Sequence, residues 1–395
     1  MIIERKSIPK DWDLISVEDC FDILDNQRKP LNESERNLMR GDIPYYGANG
    51  VVDYVNEFLF DDDLILIAED GGYFDEFQTR PIAYKVKGKA WINNHAHVLK
   101  AKNGYYQDYL FYCLEHKNIL IWLNGGTRAK LNKGDLEKLP IQIATHPEQK
   151  AIAHVLSTAD AAIHTTEKLI AQKELRKKWL MQQLLTGKKR LKGFDGVWLI
   201  LKIKNIGIVP EKKPITKVDN QKLLTVKLHT KGIEFNEREK PVISSTGRPY
   251  YERNEGEILI GRQNIHNGGI GLVTKEFDGH ICSNAISSFK VNDNHSTTYL
   301  LFHLQYPSNY HRIEDYMGGT GQKELSEKQF LDIPIKLPKS KEEQTAIAQV
   351  LQAADKEISL LKAKADKLRE QKKGLMQVLL TGKVRLNIDK AKLAQ

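Results

Sequence analysis

The chain has 395 residues and a formal net charge of +9. Hydrophobic residues make up 41% of it and charged residues 28%, which excludes a mainly disordered protein and leaves room for two or three domains. The basic balance favours a polyanionic partner, most often nucleic acid, although a merely basic surface is about equally compatible with it.

Nothing in the sequence marks a membrane-bound or secreted protein. The longest apolar runs have the length of a strand, far short of the roughly 20 residues that cross a bilayer. The opening "MIIERKSIPKDW" lacks the apolar core of a signal peptide. The three cysteines are scattered singly, without the spacing of a zinc or redox site. We therefore expect a cytoplasmic protein without membrane contact.

The first predicted domain, residues 1–147, consists mainly of strands and turns. Apolar runs such as "DDLILIAEDGG" are bounded by glycine and aspartate turns, and one helix is predicted at about residues 107–116. Three of its loops, "PYYGANG", "WINNHAH" and "NGGTRAK", concentrate side chains that can bind base edges or phosphates. Ordinary polar loops explain these three equally well.

A long helix is predicted over residues 148–187. Its apolar residues follow the alternating four-and-three spacing of a heptad seam, the pattern of a coiled coil. Glu148 lies at its start, where a negative charge is favourable against the helix dipole. The phrase "LLTGKKRL" ends it, because a glycine past the last turn can take the left-handed conformation that closes a helix.

The second predicted domain, with its leading linker, covers residues 188–341 and is again mainly strands. The run "GRQNIHNGG" carries five hydrogen-bonding or cationic side chains in one short loop, and we favour DNA contact over an ordinary loop there. A helix is predicted at about residues 296–305. The stretch 198–240 is long and weakly patterned, and no DNA contact is predicted in it.

A second long helix, residues 342–382, repeats the first, and a tail of residues 383–395 follows. Aligned at a constant shift of 195, residues 148–191 and 343–386 share 22 identities over 44 positions without a gap. The chain is therefore predicted to be an internal duplication of the α+β class, in which each mainly β domain precedes a long helix. The seam residues expected to pack at the helix interface are Ile152, Leu156, Ile163, Leu180, Leu184, Ile347, Leu351, Ile358, Leu361, Leu375 and Leu379.

The candidate DNA contacts are donors, acceptors and aromatic rings in loops that contain glycine. In the first domain they are Tyr45, Tyr46, Asn49, Asn93, Asn94, His95, Thr127, Arg128 and Lys130. In the second domain they are Arg262, Gln263, Asn264, His266, Asn267, Gln322 and Lys323.

No catalytic or metal-binding motif is found in the sequence. It lacks a phosphate-binding loop, a nucleophile elbow, a zinc HExxH pair and the Asn/Asp-Pro-Pro tetrad of amino-methyltransferases. His95 and His97 could bind a metal, but no further ligand lies nearby in the sequence, and hydrogen bonding at a surface is favoured for both. We expect no catalytic residue, metal or cofactor in this chain.

Together these features resemble the specificity subunit of type I restriction–modification enzymes. The resemblance covers nearly the whole chain and rests on "IPYYGANGVVDYVNEFLFDDDLILIAEDG", "EGEILIGRQNIHNGGIGLV" and the two helices with the pattern "EQ-AIA-VL--AD … LMQ-LLTGK-RL". It implies two target recognition domains related by a pseudo-twofold axis, and two long helices that pair as an antiparallel coiled coil and act as a spacer.

The resemblance also implies the partners. Double-stranded DNA would carry a bipartite target, with one half recognised by each domain. Two methyltransferase subunits would dock on the helices and bind S-adenosylmethionine, and restriction subunits would use ATP and Mg²⁺. The chain itself would be non-catalytic.

Two other interpretations stay open. A stand-alone DNA-modifying enzyme is disfavoured because the methyltransferase tetrad is absent from the sequence. A non-catalytic coiled-coil scaffold that joins only proteins is mildly disfavoured by the basic charge and by the loops rich in Asn, Gln and Arg. The scaffold interpretation predicts no sequence-dependent retention of DNA.

Overall fold

The computed structural model describes residues 8–126, 129–243, 247–317 and 323–387, and the chain divides into two compact units. Unit 1 comprises Met1–Thr166 and Lys364–Gln395, and unit 2 comprises Glu167–Ala363. Both boundaries fall inside the long helices. Each unit therefore holds its own sheets, the first part of one long helix and the last part of the other.

The strands of unit 1 are short and most of their pairings are antiparallel. They are β1 (Asp13–Ser16), β2 (Phe21–Ile23), β3 (Arg40–Gly47), β4 (Gly50–Val55), β5 (Phe60–Asp61), β6 (Leu64–Ala68), β7 (Ala83–Val86), β8 (Lys89–Ile92), β9 (Ala96–Ala101) and β10 (Pro140–Ile143). The helices that begin in unit 1 are α1 (Val17–Cys20), α2 (Glu33–Leu38), α3 (Gln107–Glu115), α4 (Lys133–Glu137) and α5 (His146–Leu185).

Unit 2 has the same kind of architecture. Its strands are β11 (Trp198–Lys202), β12 (Gly207–Ile208), β13 (Leu224–Val226), β14 (Ile233–Phe235), β15 (Tyr250–Arg253), β16 (Ile258–Gly261), β17 (Ile270–Leu272), β18 (His280–Ser283), β19 (Ile286–Val291) and β20 (Pro334–Pro338). The helices that begin in it are α6 (Thr297–Gln305), α7 (Pro307–Ile313), α8 (Glu327–Asp332) and α9 (Lys341–Leu379).

A four-stranded antiparallel sheet with the same order forms in both units. The order is β2-β9-β6-β7 in unit 1 and β12-β19-β16-β17 in unit 2. The inner strand β6 is buried at every position, and β16 at all but its last, which is why both are continuous apolar runs in the sequence. The predicted α+β class is confirmed, and α3 and α6 lie where the two domain helices were predicted.

The strand before each long helix pairs with the first strand of its unit. β10 pairs antiparallel with β1, and β20 pairs antiparallel with β11. The two Leu/Ile-Pro-Ile segments of the repeat are these strands. Each long helix thus starts from a strand that the sheet holds in place.

The long helices contribute their ends to the cores of the units. In unit 1, Ile152 and Leu156 of α5 and Leu379 of α9 join the main hydrophobic cluster. In unit 2, Leu184 of α5 and Ile347 of α9 join the equivalent cluster. All eleven predicted seam residues are buried or half-buried, and those near the helix ends pack against the β domains as well.

Within each unit the two helical segments run antiparallel. In unit 2, Glu174 pairs with Lys362 at 2.7 Å and Lys177 pairs with Asp355 at 2.5 Å. The later residue of α5 thus pairs with the earlier residue of α9. In unit 1, Asp160 pairs with Lys372 at 2.7 Å. None of the helices in the four described ranges is both long and apolar enough to cross a membrane.

The glycine stop predicted for each helix is confirmed. Gly187 follows α5 with φ 73° and Gly382 follows α9 with φ 69°, both in the left-handed region. A Cβ atom at position 187 would lie 3.3 Å from the Trp198 ring, and a Cβ atom at position 382 would overlap with Pro9. Glycine is needed at both positions for its backbone conformation and for the close approach.

Candidate nucleic-acid interface

Four loops meet at one end of the inner strands in unit 1. They are the β3–β4 turn, the loop after β6, the β8–β9 turn and the segment before α4. The Asn49 amide donates to Gly71 O at 2.9 Å, Glu69 N donates to His95 O at 2.9 Å, and Leu131 N donates to Glu69 O at 2.8 Å. The loops "PYYGANG", "WINNHAH" and "NGGTRAK", each predicted separately as a candidate DNA contact, therefore lie together around the residues that follow β6.

A buried charge cluster lies beneath these loops. Arg28 Nη1 donates to Glu69 Oε2 at 2.6 Å, and Lys130 Nζ lies 2.9 Å from the other carboxylate oxygen of Glu69. His97 is 1% exposed, with Nδ1 2.6 Å from Asp25 and Nε2 2.8 Å from a main-chain oxygen. The expectation that His97 forms its hydrogen bonds at a surface is wrong, because β9 directs its ring into the protein.

The carboxylates of this cluster are held ionised. Burial raises the pKa of Asp25, but its contacts with His97, Val98 N and Arg28 together lower it by more, so the net pKa lies below the ordinary value. Burial likewise raises the pKa of Glu69, and its contacts with Lys130 and Arg28 reverse that effect. Ion pairing thus compensates the buried charges.

The ligand atoms of Asp25, Glu69 and His97 lie within 4.8 Å of one another, which is close enough for a shared cation. Both ring nitrogens of His97 already face oxygen acceptors, so metal binding would require the loss of one of these contacts. Arg28 and Lys130 also supply positive charge to the same carboxylates. The cluster is explained by hydrogen bonds and ion pairs without an added ion.

Two predicted contacts in unit 1 are structural side chains. Tyr45 is 2% exposed, and its hydroxyl accepts a hydrogen bond from Leu31 N at 3.0 Å. Asn93 is buried, and its Oδ1 accepts from His95 N at 2.8 Å, which holds the β8–β9 turn. Packing and turn formation engage the Tyr45 hydroxyl and Asn93 Oδ1, and DNA contact by these two residues stays a prediction.

The other candidates of unit 1 lie nearer the surface. Tyr46 is half-buried and stacks on Tyr84 with ring centroids 6.0 Å apart. Asn49 and Asn94 are exposed, while His95 and Lys130 are half-exposed. Three predicted residues lie outside the described residues: Thr127, Arg128 and Gln322.

In unit 2, Arg262 occupies the position directly after β16. Its Nε lies 2.9 Å from Glu324 Oε1, in a geometry that makes an ion pair rather than an aligned hydrogen bond. Leu325 N donates to Arg262 O at 3.0 Å. This is the same main-chain contact that Leu131 makes with Glu69 in unit 1, so Arg262 and Glu69 occupy equivalent positions.

The ion pair at this equivalent position is reversed in charge between the units. Unit 1 places the acid Glu69 after the inner strand and the base Lys130 on the segment that follows the Gly-Gly-Thr sequence. Unit 2 places the base Arg262 after the strand and the acid Glu324 on the corresponding segment. The same backbone scaffold therefore presents opposite hydrogen-bonding chemistry in the two units.

The remaining candidates of unit 2 share one surface around the "GRQNIHNGG" loop. Asn264 is exposed and Gln263 is half-buried. His266 Nε2 lies 3.0 Å from Asn267 Nδ2 within the loop. Lys323 Nζ lies 2.7 Å from Glu314, and this contact lowers the pKa of the Glu314 carboxyl.

The β13–β14 hairpin is a part of this surface that sequence reasoning missed. Its two-residue turn consists of His229 and Thr230, with φ 59° and 57°. Their amides donate to Asn267 O at 2.8 Å and Gly268 O at 2.9 Å. Each left-handed non-glycine residue costs about 1–2 kcal/mol. The sequence signal for such a turn is Asn-Gly, which "HT" does not resemble.

Comparisons with known proteins agree with this architecture. A family model described as "Type I restriction modification DNA specificity domain" matches the chain twice, at residues 9–174 and 202–370. A type I restriction enzyme MjaVIII specificity subunit from Methanocaldococcus jannaschii is 24% identical over 418 residues, which is 96% of this chain and 94% of the relative.

Other similarities are partial or lie in the fold alone. A putative type I restriction enzyme specificity subunit from Haemophilus influenzae is 37% identical over 145 residues, and the match spans 37% of this chain and only 36% of that relative. The crystal structure of a type I restriction–modification S subunit from M. genitalium has a TM-score of 0.63 at 15% identity, covering 96% of this chain and 97% of that one.

Proposed function

This chain belongs to the family of type I restriction–modification DNA specificity domains, and we propose that each of its two units recognises one half of a bipartite DNA target. The observation that carries the proposal is the charge-reversed pair at the equivalent position, Glu69 with Lys130 and Arg262 with Glu324. A carboxylate accepts from the cytosine amino group, whereas arginine donates to guanine O6 and N7. One scaffold with opposite chemistry suits two half-sites of different sequence.

In this proposal the chain recognises the DNA target and does not itself catalyse methylation or cleavage. Chemistry belongs to partner subunits: adenine methylation with S-adenosylmethionine, and cleavage with ATP and Mg²⁺. In the described ranges, one cluster has the spacing of metal ligands, and it consists of Asp25, Glu69 and His97. All three of these side chains form ion pairs. That arrangement supports a structural role for Asp25 and His97, whereas Glu69, which pairs with the half-exposed Lys130, is the member of the cluster proposed to contact a base.

The long helices are proposed to dock the methyltransferase subunits. In unit 2, Leu175 and Trp179 of α5 are 69% and 45% exposed, and Leu360 of α9 is also exposed. Large apolar side chains exposed on helices mark candidate protein-binding surfaces, because water solvates them poorly. Lysines between them, such as Lys178, would add selectivity through charge.

Genome-wide mapping of modified adenines tests the proposal in the organism that carries the chain. Deleting its gene should remove one bipartite methylation motif, and restoring the wild-type gene should bring it back. If every motif survives the deletion, or the lost motif is contiguous, the proposed function is wrong. A scaffold that binds only proteins would likewise leave the choice of sequence unaffected by substitutions in the loops.

A further inference from the structure

The tip of the β13–β14 hairpin, residues 227–232, lies beside the loop that contains Arg262. Val226 pairs with Ile233, and Lys227 N donates to Gly232 O at 2.8 Å, so the strands continue to the turn. Lys231 N then lies 3.4 Å from Leu228 O. A two-residue turn with both central φ values positive is the tightest connection that the twist of two strands accepts.

Unit 1 has a corresponding arrangement. There the two-residue turn of the β3–β4 hairpin lies between Gly47 and Gly50, which are paired. Asn49 in that turn donates to Gly71 in the loop after β6. In both units, therefore, a hairpin tip contacts the loop that follows the inner strand. Sequence reasoning identified Asn49 as a candidate DNA contact but identified nothing in residues 227–232.

The chemistry of the tip suits a polyanion. Lys227, Leu228, His229 and Lys231 are exposed. Lys227 pairs with Glu234 at 2.7 Å, whereas Lys231 forms no ion pair with any residue in the described part of the chain. The imidazole of His229 likewise has no hydrogen-bond partner among the described residues. A two-stranded ribbon of this kind fits the major groove of B-DNA, which is about 12 Å wide.

The backbone of the tip is held in an unfavourable conformation. His229 and Thr230 both lie in the left-handed region, which glycine and asparagine enter far more readily. Their amides are fixed on the carbonyls of Asn267 and Gly268, so the surrounding structure maintains the turn. Unfavourable backbone that neighbouring elements hold in place is concentrated at functional sites.

We propose that this hairpin tip is a DNA-reading element of unit 2, in which the His229 side chain contacts a base edge and Lys231 contacts a phosphate. The inference rests on the proposed function, since it assigns residues to the half-site that unit 2 recognises. It adds a segment of the chain in which no contact was predicted from sequence.

A matched pair of glycine variants tests the role of His229. H229G and T230G each replace one left-handed residue by the residue that adopts this conformation without steric penalty. Neither should lower the midpoint of thermal unfolding of the full chain. H229G alone should weaken base preference by about ten-fold at one or two positions of the half-site that R262A also affects. T230G should keep the wild-type motif.

Methylated-adenine mapping in the organism that carries the chain provides the readout. If H229G keeps the wild-type motif, changes the other half-site, or changes the motif no more than T230G does, the assignment of His229 is overturned. The proposed function stands in each of these cases, because the wild-type chain still specifies a bipartite motif. It fails only if deletion of the wild-type gene removes no bipartite motif.

Lys231 has its own test with purified full chain and a duplex that contains the mapped motif. K231Q should reduce the slope of log affinity against log salt by about one and weaken binding to all sequences alike. An unchanged slope would overturn the phosphate contact. K217Q, on the exposed loop before β13, should leave the slope at its wild-type value.

Discussion

Arg385 donates from Nε to Glu148 Oε1 at 2.6 Å and from Nη2 to Glu148 Oε2 at 2.8 Å. The Trp12 indole donates to the same carboxylate at 3.0 Å. Glu148 is 1% exposed, so these three donors replace the water that the charge loses on burial. The contact joins the start of α5 to the segment that follows α9 and to the residue that precedes β1.

Unit 2 contains the same contact between the other copies of the repeat. Arg190 donates to both oxygens of Glu343 at 2.6 and 2.7 Å, and Trp198 donates at 3.3 Å. The arginine of each "LLTGK-RL" phrase therefore binds the glutamate that starts the other helix. This explains why the phrase and the Glu-Gln start recur together.

The glutamine after each of these glutamates also links elements of its unit through hydrogen bonds. Gln149 accepts from Tyr106 N and donates to Ala144 O, both at 2.9 Å, and so joins α3 to the end of β10. Gln344 makes the two equivalent contacts in unit 2, at 2.9 and 2.8 Å. The Glu-Gln pair and the arginine that recur in both copies of the repeat thus have a structural role in each unit.

Replacing Arg385 by Ala should destabilise unit 1 by about 2–3 kcal/mol, because a buried carboxylate loses its charged partner. Urea denaturation followed by tryptophan fluorescence would measure this, since Trp12 lies in the contact. The control K217A removes an exposed ion pair with Asp219 and should cost less than about 1 kcal/mol. Equal effects of the two substitutions would contradict the role assigned to Arg385.

Lys372 and Lys177 occupy equivalent repeat positions but should differ in importance. Lys372 is buried and pairs with Asp160 and with the buried Glu115, at 2.7 and 2.8 Å. Lys177 pairs with the half-exposed Asp355. K372A should therefore cost about 3 kcal/mol or more and K177A about 1 kcal/mol, measured by urea denaturation. A larger effect of K177A would show that the burial of Glu115 does not matter.

Replacing Arg262 by Ala should alter recognition of one half-site only. Loss of a base contact costs about 1–3 kcal/mol and relaxes the preference at the contacted position. N264A tests the exposed neighbour in the same way. Binding of purified chain to duplexes with single substitutions in either half-site would measure both. An equal loss on every sequence would make the residue a phosphate contact.

The proposed function makes helix length a determinant of the gap in the DNA target. Removing residues 165–171 and 360–366, which are equivalent heptads, shortens each helix by about 10.5 Å, or about three base pairs of DNA. The mapped motif should keep both half-sites and lose about three base pairs of gap. Deleting one heptad alone serves as the control, because it mismatches the two helices and should abolish modification. An unchanged gap after the double deletion would contradict the spacer role.

His303 should make unit 2 less stable in mild acid. Burial lowers the pKa of His303 from 6.5 to about 4, whereas the unfolded side chain keeps its ordinary value. The unfolded state therefore binds the additional proton between pH 6.5 and 4, and stability falls as the pH falls through this range. The loss from pH 7 to pH 5 should be about 2 kcal/mol.

Urea denaturation at the two pH values measures the effect of His303. H303L should remove most of the pH dependence, because the variant has no group to protonate at this position. H164L, at an exposed position of α5, is the control and should retain the wild-type dependence. A wild-type slope in H303L would place the acid sensitivity elsewhere.

Features of this protein that depend on a local pattern of residues can be predicted from its sequence. The heptad spacing of Ile152 and Leu156, the glycine stops at Gly187 and Gly382, and the duplication are all encoded within short segments or in their repetition. The apolar run of β6 likewise predicts a buried strand. Helix periodicity and the left-handed preference of glycine act over a few residues, so no distant contact is needed to recognise them.

Which polar side chains are available to a ligand depends on contacts that form only when the chain folds. Tyr45 and His97 occur in loops and strands that look exposed in the sequence, yet burial and hydrogen bonds occupy both. His229 lies in a weakly patterned stretch, and its proposed role rests on the contact of its turn with residues near position 267. Arg385 and Glu148 are 237 positions apart. Burial and charge compensation depend on residues that only folding brings together, and a pattern confined to neighbouring positions does not contain that information.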